Sequence, residues 1–145
     1  MSVRASIVSA ALVLAAAAGF ALPFATVTAQ QPAPTGPVFE IRTYTASAGK
    51  LDALKARFRD HTLRFFEKYN MKSVAYWEAV DGPGANTTIT YILMHDSIEA
   101  ARKNWAAFNA DPEWVEIRNK SNADGNIVAK VESYFARPLD FSPIK

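Results

Sequence analysis

The stretch FEIRTYTASAGKLDALKARFRDHTLRFFEKYNMKSVAYW, residues 39–77, carries the pattern that decides the fold. Its beginning alternates between apolar and polar side chains, which predicts a half-buried strand over residues 38–45. After the turn at Gly49, apolar side chains recur every three or four residues, the spacing of one helical face, over residues 50–69. Alternation returns over residues 72–80 and predicts a second strand. The order is therefore strand, helix, strand.

The same order repeats in the second half of the chain. Gly and Pro residues in DGPGAN, residues 81–86, predict a turn, and the β-branched run TTITYILMH, residues 87–95, predicts a strand. A helical segment follows, in which Asp111-Pro112 ends one helix and caps the next. A fourth strand is predicted over residues 126–137. The sequence thus predicts an α+β protein with the ferredoxin-like βαββαβ plan and an antiparallel sheet.

The first residues are typical of a targeting segment. Residues 1–29 have a basic start, an uncharged apolar middle and a small-residue end, which predicts a cleaved secretory signal peptide. A membrane span is the alternative, but Gly19 and Pro23 interrupt the apolar run. Residues 30–37 form a Pro-rich tether, and residues 38–143 form the domain. We therefore expect an exported protein, periplasmic or secreted, with no stable membrane span after leader cleavage.

Length and charge narrow the class of protein. The chain has 145 residues, which is room for one domain. Its formal net charge of +2 falls to about +1 once the leader and its single arginine are removed. Binding a phosphate backbone needs clustered Lys and Arg, whereas here the signs alternate, so no nucleic-acid partner is predicted. The chain has no cysteine, which excludes disulfides and thiolate metal sites.

One face of the predicted sheet has no helix to cover it. Because side chains alternate between the two faces of a strand, the uncovered face carries one of two sets of residues. Both sets are rich in large apolar side chains. The first set is Phe39, Ile41, Trp77, Ile89, Tyr91, Leu93, Ile127 and Val131. The second set is Val38, Tyr44, Val74, Tyr76, Ile92, Met94, Val128 and Tyr134. A homodimer joined sheet to sheet is favoured over a monomer with a solvated face.

A series of short motifs resembles a known family. In order they are Glu40-x-Arg42-x-Tyr44, Gly49-Lys50-Leu51, Arg57-Phe58-Arg59-Asp60-His61, Trp77, Trp105-x-x-Phe108-x-x-Asp111-Pro112-x-Trp114 and the terminal DFSP. Together they strongly resemble the NIPSNAP family, a branch of the dimeric α/β-barrel superfamily, over almost all of the predicted domain. The resemblance implies a dimeric α/β barrel. The resemblance also brings in oxygenase-like relatives and families that bind or degrade haem. The oxygenase-like relatives use a trio of Asn, Trp and His side chains, which does not map onto this chain residue by residue.

Motifs of catalysis are mostly missing from the sequence. It has neither a Gly-rich phosphate loop nor a G-x-S-x-G nucleophile elbow. Its two histidines, His61 and His95, do not have the spacing of metal ligands, so no metal site and no cofactor are predicted. The catalytic residues are unknown, and whether the protein is an enzyme stays open. The Glu40–Arg42 pair is interpreted as a structural ion pair rather than an anion site.

His61 is the residue that points most directly to a ligand site. It lies between Phe58 and Phe65 on the apolar stripe of the first helix, where an imidazole is either a hydrogen-bonded core residue or a pocket residue. As a pocket residue it would face the sheet, and it is the one candidate for an axial haem ligand. The candidate ligand-binding residues are His61, Phe58, Phe65, Trp77, Tyr91 and Trp105.

Two classes of function follow from these residues. A homodimeric module that binds a small apolar or aromatic ligand, or a partner protein, is favoured because no activated nucleophile or acid–base pair is visible. The alternative, taken from the resemblance, is a cofactor-independent monooxygenase-like or haem-interacting enzyme. For Trp105, Phe108 and Trp114, packing in the core is favoured over a cage around a ligand.

Overall fold

The four predicted strands form one antiparallel sheet in the computed structural model, which describes residues 37–145. The strands are β1 (Val38–Ala46), β2 (Lys72–Glu78), β3 (Thr88–His95) and β4 (Val128–Ala136). Their order across the sheet is β2-β3-β1-β4. Because β1 and β2 both run antiparallel to β3, β3 is inserted between two parallel strands, the split βαβ arrangement. The ferredoxin-like prediction is confirmed. The predicted leader and the tether up to residue 36 lie outside the described residues.

The helices pack on one face of this sheet and contribute its aromatic core. The first helix consists of α1 (Leu51–Arg57), a π-helical turn (Phe58–Thr62) and α2 (Leu63–Lys68). In the second half of the chain, α3 (Ile98–Ala110) is followed by α4 (Pro112–Ser121). A 3₁₀ turn, Gly82–Gly84, connects β2 to β3. Within residues 37–145 no helix has both the length and the apolar character needed to cross a bilayer.

The π turn changes which side chains the first helix buries. The Leu63 N–H donates to the Phe58 carbonyl five residues earlier, and Thr62 Oγ1 donates to the Arg57 carbonyl at 3.1 Å. A π turn has more residues per turn than an α turn, so Thr62 comes into line with Phe58 and His61 moves to the flank. Phe58 and Thr62 are buried, whereas His61 is only partly buried. The predicted stripe through His61 was therefore wrong at that position.

The first helix ends in a Schellman motif. Asn70 has a positive φ of 52°, and the Met71 N–H donates to the Phe66 carbonyl at 2.8 Å while the Asn70 N–H donates to the Glu67 carbonyl at 3.2 Å. Asn is one of the few side chains that tolerates this left-handed conformation. Met71, 1 % exposed, packs into the core directly after the motif. The motif thus stops the helix and directs the chain into β2.

Strand register overturns both faces predicted from residue parity. Arg42 pairs with Tyr91, so the even residues of β1 share a face with the odd residues of β3. In β2 the register shifts between Ser73 and Ala75, a bulge that leaves Val74 as the extra residue. As a result Tyr76, not Trp77, pairs with Tyr91. Neither predicted set corresponds to a real face of the sheet.

The helix-covered face is packed with aromatic side chains. Tyr91, at its centre, is completely buried; its ring stacks on Phe66 with centroids 5.8 Å apart and meets Phe58 edge-on at 5.2 Å. The opposite face, which we call the open face, carries Phe39, Ile41, Ile92, Met94, Trp77 and Tyr134. Trp77 is 51 % exposed and Tyr134 is 63 % exposed. The open face therefore presents apolar surface to the outside of the chain.

Candidate functional site

A cavity of about 520 Å³ lies on the helix side of the sheet, over β1 and β4. This size falls in the range of small-molecule sites, roughly 300–1,000 Å³. Its aromatic walls are Tyr44, Phe58, Phe66, Trp105, Phe108, Trp114 and Phe135. Its charged groups are Glu40, Arg42, Arg57, Arg102 and Arg118. The cavity thus combines aromatic walls with four arginines and a single carboxylate.

Glu40 is the centre of a buried polar network beside the cavity. The side chain is only 3 % exposed, and Oε1 accepts from Arg42 Nη1 at 2.5 Å. Oε2 accepts from Trp105 Nε1 at 2.6 Å and is 3.0 Å from His95 Nε2. Burial by itself would raise the pKa of Glu40, but the hydrogen bonds from His95 and Trp105, together with Arg42, outweigh burial and lower it. Glu40 is therefore held as a carboxylate.

Trp105 connects this network to the aromatic walls. The Arg42 guanidinium carbon lies 4.3 Å from the Trp105 ring centroid, a cation–π contact, and the indole N–H donates to Glu40. The same ring meets Phe66 edge-on at 5.6 Å and Phe108 edge-on at 5.2 Å. The position of the Trp105 side chain is therefore set by a hydrogen bond at its indole N–H and by aromatic packing against its ring. The predicted core role of this tryptophan does not prevent it from lining the cavity.

The Asp-Pro break between α3 and α4 positions the second tryptophan. Asp111 Oδ1 accepts from the backbone N–H groups of Glu113, at 2.8 Å, and Trp114, at 3.3 Å, as predicted for a helix cap. Asp111 Oδ2 accepts from Lys68 Nζ at 2.5 Å and from the Tyr69 hydroxyl at 2.6 Å. The cap is thus tied to the end of the first helix. It turns Trp114, which is 5 % exposed, back into the core and the cavity.

Arg57 is the most deeply buried of the arginines that line the cavity, and it forms no ion pair with the described residues. It is 8 % exposed, and Nη1 donates to Ser121 Oγ at 3.2 Å. All fourteen acidic side chains of the chain lie between Glu40 and Asp140, within the described residues, and none forms an ion pair with Arg57. Burial lowers the pKa of Arg57, and the charge of Arg118 adds to that effect. The side chain belongs to α1 immediately before the π turn, a feature often found at functional sites.

The structure separates the six ligand-binding residues predicted from the sequence. Phe58 and Trp105 line the cavity. Phe58 also lines a second depression of about 320 Å³, next to Trp77 and the β2 edge. Phe65 and Tyr91 are completely buried in the core, and His61 is partly buried on the π turn and lines neither space. The ligand-binding role of the six stays a prediction.

Sequence reasoning missed the arginines of the cavity. Arg57 lies three residues after Leu54, on the buried side of α1, and a charge at such a position is unusual unless it is paired. That signal was present in the sequence and was available from the helical spacing alone. Arg118 could not be found in this way, because α4 is too polar for its buried side to be recognised. The Glu40–Arg42 ion pair is present as interpreted, but it also lines the cavity.

The donor set suits recognition of an organic molecule more than metal binding. Among residues 37–145 there is no cluster of three or more His, Cys, Asp or Glu side chains able to hold a metal ion. The described side chains offer instead guanidinium and indole N–H donors against aromatic surface. Such an arrangement can orient a flat molecule and bind an acidic group on it.

Comparison with known proteins supports the fold. The sequence profile of the NIPSNAP family matches residues 39–143. A NIPSNAP family protein with unknown function from Agrobacterium tumefaciens str. C58 has a TM-score of 0.66 at 24% identity, with 76% of this chain and 95% of that chain covered. An uncharacterized NIPSNAP-like domain protein from Burkholderia xenovorans has a TM-score of 0.64 at 17% identity, covering 76% and 91%.

A more distant likeness is to a putative antibiotic biosynthesis monooxygenase from Bordetella bronchiseptica. Its TM-score is 0.53 at 13% identity, with 72% of this chain and 99% of that chain covered. At such identities the likeness to solved structures concerns the fold alone. No curated protein matches the chain.

Proposed function

The chain belongs to the NIPSNAP family, and on that premise we propose that it is a small-molecule-binding module that acts as an exported homodimer. The single observation that carries the binding function is the cavity of about 520 Å³, which is walled by aromatic side chains and lined on one side by β4. Its volume falls within the range of small-molecule sites, and its walls combine large aromatic side chains with a few polar groups, the usual lining of such sites. The walls favour a flat aromatic molecule.

A neutral aromatic probe tests this binding function. Naphthalene carboxamide, added to the purified protein, is expected to bind in a calorimetric titration and to raise the melting temperature. The Val131→Trp variant, which places an indole at the cavity wall, is expected to abolish binding without unfolding the protein. Val80→Trp, at a position 87 % exposed in the turn after β2, is the matched control and should bind as wild type does.

The same titration distinguishes the cavity from the site predicted around His61 and Trp77. If the probe lies in the cavity, His61→Ala leaves its affinity unchanged. If it lies where the sequence predicted, His61→Ala weakens binding and Val131→Trp does not. A protein that binds no neutral aromatic probe at all would contradict the proposed function.

The homodimer is proposed from the open face. Ile41, Ile92 and Met94 are only partly exposed there, and Trp77 and Tyr134 present more than half of their surfaces. A contiguous apolar sheet face of this kind is typical of an association surface. Export to the periplasm or the medium is proposed on the leader-like composition of residues 1–29 alone.

A cofactor-independent oxygenase is the second candidate, favoured by Glu40, a carboxylate that lines the cavity and is hydrogen-bonded to the buried His95 behind it. In this role Glu40 would accept a hydrogen bond from a bound phenol and orient it, and O₂ would convert a substrate CH₂ group to C=O with release of water. Oxygen consumption with anthrone-type substrates tests this activity. Consumption that disappears in Glu40→Gln, with substrate binding retained, would support the enzyme; no consumption would leave the binding module.

A further inference from the structure

The cavity has an excess of positive charge that the chain does not neutralise. Four arginines line it, and its one carboxylate, Glu40, is already paired with Arg42. Arg57 stays charged in a protein, because a guanidinium does not lose its proton at physiological pH. A buried charge without a counter-ion is costly, so chains rarely retain one without a function.

Two buried hydrogen-bond donors at this position also lack partners. Within the described part of the chain, neither Arg57 Nε nor Trp114 Nε1 has a hydrogen-bond acceptor, although both atoms are buried. Both side chains line the cavity, and the Arg57 guanidinium carbon lies 5.6 Å from the Trp114 ring centroid. Ser121 accepts from Nη1 alone and leaves Nε without an acceptor among the described residues. Unpaired buried donors of this kind are uncommon in native proteins, and an acceptor group of a ligand in the cavity would satisfy these two.

We propose that the cavity binds aromatic carboxylates, with the carboxylate accepting hydrogen bonds from Arg57 and Trp114 and the ring packing against the Trp105 and Phe108 side chains. This inference rests on the proposed binding function and names its ligand class. A carboxylate matches the planar fork of a guanidinium, and one negative charge compensates Arg57, while Arg118 on α4 adds attraction. The aromatic walls hold the body of the ligand by stacking and edge-on contacts.

A matched pair of probes isolates the charge. Naphthalene carboxylate and naphthalene carboxamide have nearly the same shape, and only the first is an anion. Calorimetric titration of the full chain is expected to show the carboxylate binding at least about tenfold more tightly than the amide, the effect of charge-assisted hydrogen bonds. In Arg57→Met this preference should disappear, because carboxylate affinity falls while amide affinity is retained. Arg137→Gln, an exposed arginine that does not line the cavity, is the control and should keep the preference.

The stability of the Arg57→Met variant provides a second measurement. If Arg57 had only a structural role, its replacement would lower the stability of the protein. Without ligand, Arg57→Met removes an uncompensated buried charge, so its urea midpoint should equal or exceed that of wild type. If Arg57→Met does not fold, Arg57→Lys is tested instead. Lysine keeps the positive charge but lacks the planar, two-pronged set of guanidinium donors, so this variant should bind the carboxylate more weakly than wild type.

The outcomes separate this inference from the function on which it rests. Equal affinity of wild type for carboxylate and amide overturns the carboxylate inference and leaves the binding function standing. A carboxylate preference that survives in Arg57→Met overturns the assignment to Arg57. Absence of binding by either probe overturns the proposed function itself.

Discussion

Glu40 shows how a single residue can keep a charge inside a protein. Each of its oxygens accepts a hydrogen bond from a cationic or indole donor, and these bonds replace the water that burial removes. The same arrangement makes the residue difficult to replace, because Arg42 is itself nearly buried and has no other carboxylate partner among the described ion pairs. Glu40 therefore matters to the fold and to the cavity wall together.

Replacement of Glu40 by Gln should be strongly destabilising. The free energy of unfolding is expected to fall by about 3 kcal/mol, because the Arg42 charge is left buried without a counter-ion. Urea unfolding monitored by circular dichroism measures the change. Glu132, whose side chain is 58 % exposed, pairs with Lys130, and Glu132→Gln should change stability by no more than about 0.5 kcal/mol. Equal effects of the two substitutions would show that the Glu40 network contributes little.

Among the elements, the first helix shows what the sequence could and could not predict. Helical spacing identified Leu51, Leu54, Phe58 and Phe65 correctly, and all four are buried. It failed at His61, because a π turn depends on tertiary packing and on the Thr62 hydroxyl rather than on the apolar period. The β2 bulge is a similar case: one extra residue, Val74, has no sequence signal but reverses the faces of Tyr76 and Trp77.

The π turn makes a deletion test possible. Deletion of Asp60, an exposed residue inside the turn, should allow the first helix to continue as a regular α-helix with its buried face in register. The expected loss in free energy of unfolding is about 1 kcal/mol or less. Deletion of Ala107, equally exposed but inside regular α3, rotates Phe108 out of the core and should cost at least about 3 kcal/mol. Thermal unfolding of both variants measures the difference; similar losses would contradict this role of the π turn.

The junction of α3 and α4 should make the protein sensitive to acid. Hydrogen bonds from Lys68 and Tyr69 hold the pKa of Asp111 well below its usual value. A lowered pKa in the folded state contributes stability that is complete above the unfolded value of about 3.9 and is lost as the pH falls toward the folded value. Wild type should therefore exceed Asp111→Asn in urea midpoint at neutral pH, and the gap should narrow below about pH 4.

The control for this pH dependence is Asp124→Asn, at an exposed aspartate in the loop before β4. Its midpoint should follow wild type across the whole titration. A gap between wild type and Asp111→Asn that stays constant into acid would contradict the lowered pKa as the origin of the stability.

At the scale of the whole molecule, the α+β class and the order of the strands could be predicted from the alternation of apolar and polar residues and from the helical spacing. The site could not be predicted in this way. A cavity lies between elements that are distant in sequence, so its lining depends on the tertiary structure. Arg57 on α1, Trp105 on α3 and Val131 on β4 come together only once the register of the sheet is fixed. The sequence identified Phe58 and Trp105 because large aromatics are informative by themselves. It could not place Trp77 and Tyr91 on opposite faces.

The open face carries the prediction for assembly. Purified wild-type protein should sediment as a dimer at micromolar concentration, and Ile92→Lys, which puts a charge in the middle of that face, should sediment as a monomer. Ala53→Lys, on the exposed side of α1, should remain dimeric. A wild-type protein that sediments as a single chain would contradict the proposed dimer without affecting the cavity.

The three tryptophans can serve as intrinsic fluorescence probes, because they lie in different environments. Trp105 and Trp114 line the cavity, while Trp77 lies on the opposite side of the sheet with half of its indole exposed. Emission from the first two should respond to whatever enters the core, and only Trp77 should lose its accessibility to a quencher when two chains meet. Single-tryptophan versions of the chain would thus report occupancy and self-association as separate fluorescence signals.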